Sequence, residues 1–210
     1  VTYQLLIDEV RIIDGLGNPP FEGAVLVEGN RIAAVGDRST MRVDQPEIVD
    51  GRGCHLMPGL IDAHCHVTFD EPHSNDELFF HRREGLAALI AARNAQRVLS
   101  AGVTGFLDAD CIFDLGVDLR DAIDAGIVVG PRMATGGNAL LTSVGGTAGL
   151  LFPDEGRRGY ARIVRGRDEI VAEVRRQAKI GVDWIKVHVT GLIPRQRHKG
   201  EIQAWSYDEL

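Results

Sequence analysis

Cysteine is scarce: Cys54, Cys65 and Cys111 are the only three in a chain of 210 residues. An odd number of widely spaced thiols excludes a disulfide framework and points to a reducing, cytoplasmic compartment. No apolar run approaches the roughly 18 residues of a membrane span. The opening Val-Thr-Tyr-Gln-Leu-Leu-Ile-Asp-Glu has no basic stretch ahead of an apolar core, so neither an anchor nor a signal peptide is expected. Positive charge is in deficit, 23 Lys and Arg against 30 Asp and Glu, and the net −7 argues against nucleic acid as a partner. What is present is ordinary for a globular chain: 44% hydrophobic and 25% charged residues exclude disorder over most of its length. Glycine, at 25 residues, promises many tight turns.

Residues 1–55 read as β structure. Apolar runs fill Tyr3–Ile13, and Ala24–Val27 and Ile32–Val35 flank Glu28-Gly29-Asn30-Arg31, a strong hairpin signal. After Pro58-Gly59 the pattern alternates. A strand is predicted over Leu60–Val67 and a long helix over Glu77–Ala101, with Gly102 as its stop. Then follow a strand at Val103–Leu107, a helix at Leu115–Ala125 and a strand at Arg132–Thr135. A glycine-rich loop over residues 136–166 is long enough to suggest a role in shaping a substrate pocket. A helix capped by Asp168 and stopped by Gly181 leads to a fourth strand, Trp184–Val189. Alternating strands and helices imply a parallel sheet of the α/β class. Four strands and three helices over residues 56–210 amount to about half of a (β/α)8 TIM-type barrel, which typically needs ~250 residues. The expectation is therefore the first half of such a barrel behind a small all-β domain, with these 210 residues inactive by themselves.

Alternation in Leu60–Val67 sends Asp62, His64 and His66 one way and Ile61, Ala63, Cys65 and Val67 the other. In a parallel barrel the apolar set meets the helices, and the imidazoles face inward at the strand's C-terminal end, where barrel active sites sit. A bare His-x-His is more often chance, or satisfied by hydrogen bonds, than a metal pair; its place after Pro58-Gly59 and at a strand end favours metal. Likewise Ile185, Val187 and Val189 face out while Lys186 and His188 face in. An inward lysine needs neutralising. It either pairs with Asp108 or Asp62, or its amine reacts with carbon dioxide to form a carbamate that bridges two metals. His188 either lines the pocket or packs within it. Arg195 and His198, in the basic run 195–199, either meet a substrate carboxylate or form a solvated loop. His55 reads as structural, His73 and His81 as surface residues, and the seven arginines between Arg157 and Arg176 as a solvated helix face offset by Asp168, Glu169 and Glu173.

The run Leu56-Met57-Pro58-Gly59-Leu60-Ile61-Asp62-Ala63-His64-Cys65-His66 closely resembles the first barrel strand of the amidohydrolase superfamily. Ile12-Ile13-Asp14-Gly15 and Val27–Ile32 resemble its small N-terminal β-sandwich, and Trp184-Ile185-Lys186-Val187 its fourth strand. The likeness is closest to the branch of Xaa-Pro dipeptidase-like and imidazolonepropionase-like proteins and lysine/arginine carboxypeptidases. The resemblance implies a metal-dependent hydrolase that cleaves an amide, peptide or cyclic amide C–N bond with a metal-activated hydroxide. His64 and His66 would hold the more buried of two divalent ions, zinc by default, and carboxylated Lys186, the catalytic residue, would bridge both. Two further histidines and an aspartate would come from later strands. Gly136-Gly137-Asn138 departs from the Gly-Gly-His of carboxypeptidase-like members, which puts a peptide substrate in doubt. His188, Asn138, Arg195 and His198 are the candidate substrate contacts. The partner expected is a small-molecule or peptide-like substrate, and self-association into a homo-oligomer stays open. Two rivals remain: an inactive scaffold on the same fold, which would be expected to lose ligands, and a cupin-like barrel built on His64, His66 and Glu71, which the βα alternation opposes.

Overall fold

The computed structural model describes residues 3–70, 72–144, 153–156, 158–192 and 201–210. The chain divides into two compact units, Val1–Gly59 and Leu60–Leu210. None of the described helices is long and apolar enough to cross a membrane.

In the first unit the backbone of β1 (Gln4–Ile12) is the spine. On one side it pairs antiparallel with β2 (Phe21–Glu28), which turns through Gly29-Asn30 into β3 (Arg31–Gly36). Gly29 takes φ 60°, the left-handed conformation such a two-residue turn requires. On its other side β1 pairs in parallel with β4 (Glu47–Asp50) and then with β5 (His55–Leu56). The expected sandwich is therefore one mixed sheet among the described residues, because β4 and β5 extend the sheet of β1 instead of starting a second layer. A register shift between Ile7 and Val10, with Glu9 at φ 54°, reverses the alternation of β1. Leu6 packs with Ala24, Leu26 and Met41, while Ile7, Val10 and Ile12 pack with Val25 in a separate cluster.

The second unit contains a three-stranded parallel sheet in sequence order: β6 (Leu60–Cys65), β7 (Val103–Asp108) and β8 (Arg132–Thr135). Helix α1 (Glu84–Ser100) buries Ala87, Ala91 and Ala95, one small side chain per turn, which lets it lie close to the strands. Cys65, Val67, Phe106 and Met133 meet it and α2 (Leu115–Asp124) in one cluster. The stops at Gly102 (φ 89°) and Gly181 (φ 91°) are as expected, and Gly181 closes α3 (Gly166–Ile180) in the left-handed conformation. That helix starts two residues ahead of Asp168: the Glu169 carboxylate accepts the Arg165 N–H at 2.7 Å, so the end is capped from inside the first turn.

Two predicted elements differ. The single helix expected from Glu77 is interrupted. Glu77–His81 forms a π-helical turn, Arg82 and Arg83 turn extended, and α1 begins at Glu84. The Arg82 guanidinium folds back on Glu77 at 2.5 and 2.6 Å and is buried, so this ion pair replaces the continuous helix. The fourth strand, expected over Trp184–Val189, is reduced to one parallel bridge between Leu140 and Val187. Past β8, Gly136 and Gly137 (φ 60°) turn the backbone away. Asp183 and Trp184 both donate to the Thr135 carbonyl, at 3.0 and 3.2 Å, and pairing resumes only at Leu140. Part of the long glycine-rich loop is ordered into the short parallel pair β9 (Leu140–Leu141) and β10 (Arg162–Ile163); its residues 145–152 and 157 lie outside the described residues. The segments β11 (Thr190–Leu192) and β12 (Glu201–Gln203) pair antiparallel.

Gly116 marks where α2 meets the sheet. A Cβ there would stand 2.0 Å from Thr135 Oγ1 and 2.9 Å from Asp108 Oδ2. Gly116→Ala is expected to cost about 1–3 kcal/mol through overpacking, measured by urea unfolding. An unchanged midpoint would show that helix and strand are not in tight contact.

Candidate functional site

The site forms where β6 and β7 end. His64 lies in β6 and His66 just beyond it. Their Nε2 atoms converge to 3.1 Å, with the rings edge to face. Two imidazoles on one tetrahedral zinc, at 2.0–2.1 Å each, would hold their nitrogens about 3.4 Å apart. At 3.1 Å the two nitrogens are within hydrogen-bond distance of each other, a little closer than that spacing. Asp62 does not join them: its carboxylate accepts the His64 backbone N–H at 3.0 Å.

Behind His66 stands Asp110, whose side chain is 2% exposed. The Asp110 carbonyl lies 3.0 Å from His66 Nδ1 and accepts along the N–H direction, while Oδ1 sits at 2.9 Å off that line as an ion-pair contact. Oδ2 takes His188 Nε2 at 3.1 Å. Burial opposes the charge on Asp110, but the hydrogen bond from His188 and the close contact of His66 prevail and hold it at about 2. The same contact raises the pKa of His66. The other face of the His66 ring stacks on Phe69, with centroids 5.1 Å apart.

Asp108 has the opposite character. It is fully buried against Thr135 and α2, and desolvation pushes it up to about 7. Thr135 Oγ1 donates to Oδ2 at 3.3 Å, and Oδ1 has no hydrogen-bond partner among the described residues.

Lys186 is half-buried, between Val187, which packs toward Ile170 and Val174 of α3, and Gly136. A Cβ on Gly136 would stand 3.3 Å from Lys186 Cβ and 2.4 Å from the Ala109 carbonyl oxygen, so the bare glycine leaves room for both. Asn138 belongs to the interior. It is fully buried, its side-chain amide donates to the Phe113 carbonyl, and its backbone carbonyl accepts from Gln177 Nε2 at 2.8 Å. Those bonds tie it to the fold and put it out of a substrate's reach. Arg195 and His198 lie outside the described residues. Among the described residues no three His, Cys, Asp or Glu side chains gather to hold a metal. Of the seven arginines between Arg157 and Arg176, Arg176 pairs with Asp114 and Glu173, Arg162 with Glu173 and Arg165 with Asp154.

Asp110 went unweighed in the sequence. Its signal was the Asp108-x-Asp110 spacing at the end of the second strand, which matches His64-x-His66 at the end of the first.

Residues 55–200 match the Amidohydrolase family, so the chain belongs to that family. Residues 23–47 match an imidazolonepropionase-like composite domain of bacteria. The chain is similar to the ochratoxinase of Aspergillus niger, 28% identical over 95% of this chain and 45% of the relative. It resembles the crystal structure of that ochratoxinase with a TM-score of 0.81 at 24% identity, covering 99% of this chain and 52% of that one. A prolidase complexed with N-methylphosphonate-L-proline is similar at TM-score 0.81 and 25% identity, over 98% of this chain and 51% of that chain. The chain spans about half the length of these relatives.

The raised pKa of Asp108 has a signed consequence. Its folded value, about 7, lies above the ordinary 3.8, so the folded state retains a proton that the unfolded chain releases. Its contribution to stability therefore falls as pH rises from 3.8 toward 7. Asn cannot ionise. The stability difference between Asp108→Asn and wild type is expected to move in favour of Asn across that window, by up to about 4 kcal/mol. Urea unfolding at pH 4, 5.5 and 7 reads it, and a difference flat in pH would show that Asp108 ionises normally.

Proposed function

We propose that the protein containing this chain is a metal-dependent hydrolase of an amide-type C–N bond in a small-molecule or peptide-like substrate. The observation that carries this reading is the 3.1 Å approach of His64 Nε2 to His66 Nε2 at the end of a parallel strand. Family membership and the likeness to a prolidase and an ochratoxinase support hydrolysis and substrates of this size. The donor set fits a divalent ion of the zinc type: two imidazoles, with the Lys186 amine as a candidate that can become an oxygen donor.

In this reading β6 opens the first half of a (β/α)8 barrel. His64 and His66 would hold one metal, and Lys186 would join them after reaction with carbon dioxide. The unprotonated Nζ attacks the carbon of carbon dioxide, a C–N bond forms as one C=O π bond opens onto its oxygen, and the nitrogen's proton leaves to solvent. The carbamate would offer oxygen donors in place of the amine. A bound divalent metal supplies Lewis acidity, lowering the pKa of water and polarising the scissile carbonyl. The chain's own residues bind and orient. His188 is held at the same strand ends, where it can meet the substrate, and Arg195 and His198 are candidates for a substrate carboxylate.

In the full-length protein, His64→Ala with His66→Ala should remove one metal per chain by elemental analysis, and unchanged metal content would exclude the pair as ligands. Lys186→Ala should abolish hydrolysis of N-acyl amino acids and dipeptides, with partial rescue by short carboxylic acids that replace the carbamate. Electron density ending at a plain amine in a fully metallated crystal would overturn the carbamate. Metal bound normally without any hydrolysis would favour an inactive scaffold.

A further inference from the structure

Asp110 is a buried carboxylate with two imidazoles and, among the described residues, no other side-chain partner. Its backbone is fixed on both sides. Ala109 donates to the Cys65 carbonyl at 3.0 Å, and Cys111 to the Gly137 carbonyl at 2.9 Å, so residue 110 is stretched between the ends of β6 and β8. A Cβ on Gly136 would collide with the Ala109 carbonyl, and this close approach confines the same stretch further.

Both neighbours of His66 Nδ1, the Asp110 carbonyl at 3.0 Å and Oδ1 at 2.9 Å, can only accept. A bare nitrogen there would face two sets of lone pairs. The hydrogen therefore belongs on Nδ1, and in the neutral ring Nε2 carries the lone pair. That lone pair is directed toward His64 Nε2. The second carboxylate oxygen accepts from His188 Nε2 at 3.1 Å, so one residue sets two rings from segments 122 positions apart in sequence, His66 and His188.

We propose that Asp110 is a positioning residue: it keeps the His66 proton on Nδ1, presents the Nε2 lone pair to the metal shared with His64, and anchors His188 beside it. This rests on the metal-binding reading of His64 and His66. A carboxylate behind a ligating imidazole raises the basicity of the ring and fixes its orientation.

Two measurements on the full-length protein test it. In metal-free protein with 15N-labelled histidine, above the pH range of the imidazolium, the ring shifts of His66 (assigned with His66→Gln) should report the Nδ1–H tautomer. Zinc affinity, by competition with a chromophoric chelator, should weaken about 10–100-fold in Asp110→Ala and by at least several-fold in the isosteric Asp110→Asn. His64→Ala serves as the reference for loss of the site. If His64→Ala leaves zinc binding unchanged, the metal reading falls. If His64→Ala weakens zinc binding while folded Asp110→Asn binds as wild type, only the positioning role falls. An Nε2–H tautomer of His66 in the wild type overturns the role by itself, and that spectrum decides if neither Asp110 variant folds.

Discussion

A carboxylate taken out of water is unstable by several kcal/mol unless its oxygens are compensated. Asp110 meets this condition with two imidazoles brought by different parts of the chain. The architecture around the site follows from it. Its backbone has to sit between the ends of β6 and β8, which the parallel ladder β6-β7-β8 provides. The segment after α3 has to return close enough for His188 to reach it. The bridge at Val187 and the packing of Val187 toward Ile170 and Val174 bring it there. The His64–His66 approach is thus held from behind by a charge that cannot leave without exposing an uncompensated group.

Asp108 and Asp110 are two residues apart and behave oppositely. Desolvation dominates at Asp108, where the side-chain donor is the neutral Thr135 hydroxyl, and its pKa rises to about 7. At Asp110 the same desolvation is outweighed by imidazole contacts, and the pKa drops to about 2. The difference is geometric. Asp108 points under α2 toward Thr135 and Gly116, and Asp110 lies beyond the strand among the histidines. Carboxyls with separated proton affinities side by side are common at functional sites and give a physical reason to place the site at these strand ends.

Local chemistry made much of this legible. The turn at Gly29-Asn30, the helix stops at Gly102 and Gly181, and the first three strands of the second unit depend on a few neighbouring residues, and each appears where its residues call for it. The His64-x-His66 spacing was equally readable, because two-residue periodicity on a strand needs no tertiary knowledge. The departures share a different cause. The break before α1 depends on the Arg82 guanidinium finding the Glu77 carboxylate in a buried place. The thin fourth strand depends on Thr135, whose carbonyl captures two N–H groups from a segment nearly fifty residues away. The sheet in place of a sandwich depends on β4 and β5 choosing the free edge of β1. Each is a competition between long-range partners, and local pattern carries no record of which partner wins.

Asp110 belongs with those cases, and it explains why the histidine pair alone was an incomplete description of the site. An imidazole offers its lone pair from one nitrogen only when the other holds the proton. Nothing within His64-Cys65-His66 decides that for His66. The deciding acceptors come from Asp110, 44 residues later, on a different strand end. Glycines at 136 and 137 matter for the same reason: a side chain at 136 would meet the Ala109 carbonyl at 2.4 Å and displace the stretch that carries Asp110. The third strand end thereby contributes to the site through close backbone approach, while Asn138, the side chain that follows, is turned into the interior. The geometry of the histidine pair on the first strand is set by the backbone of the second and third.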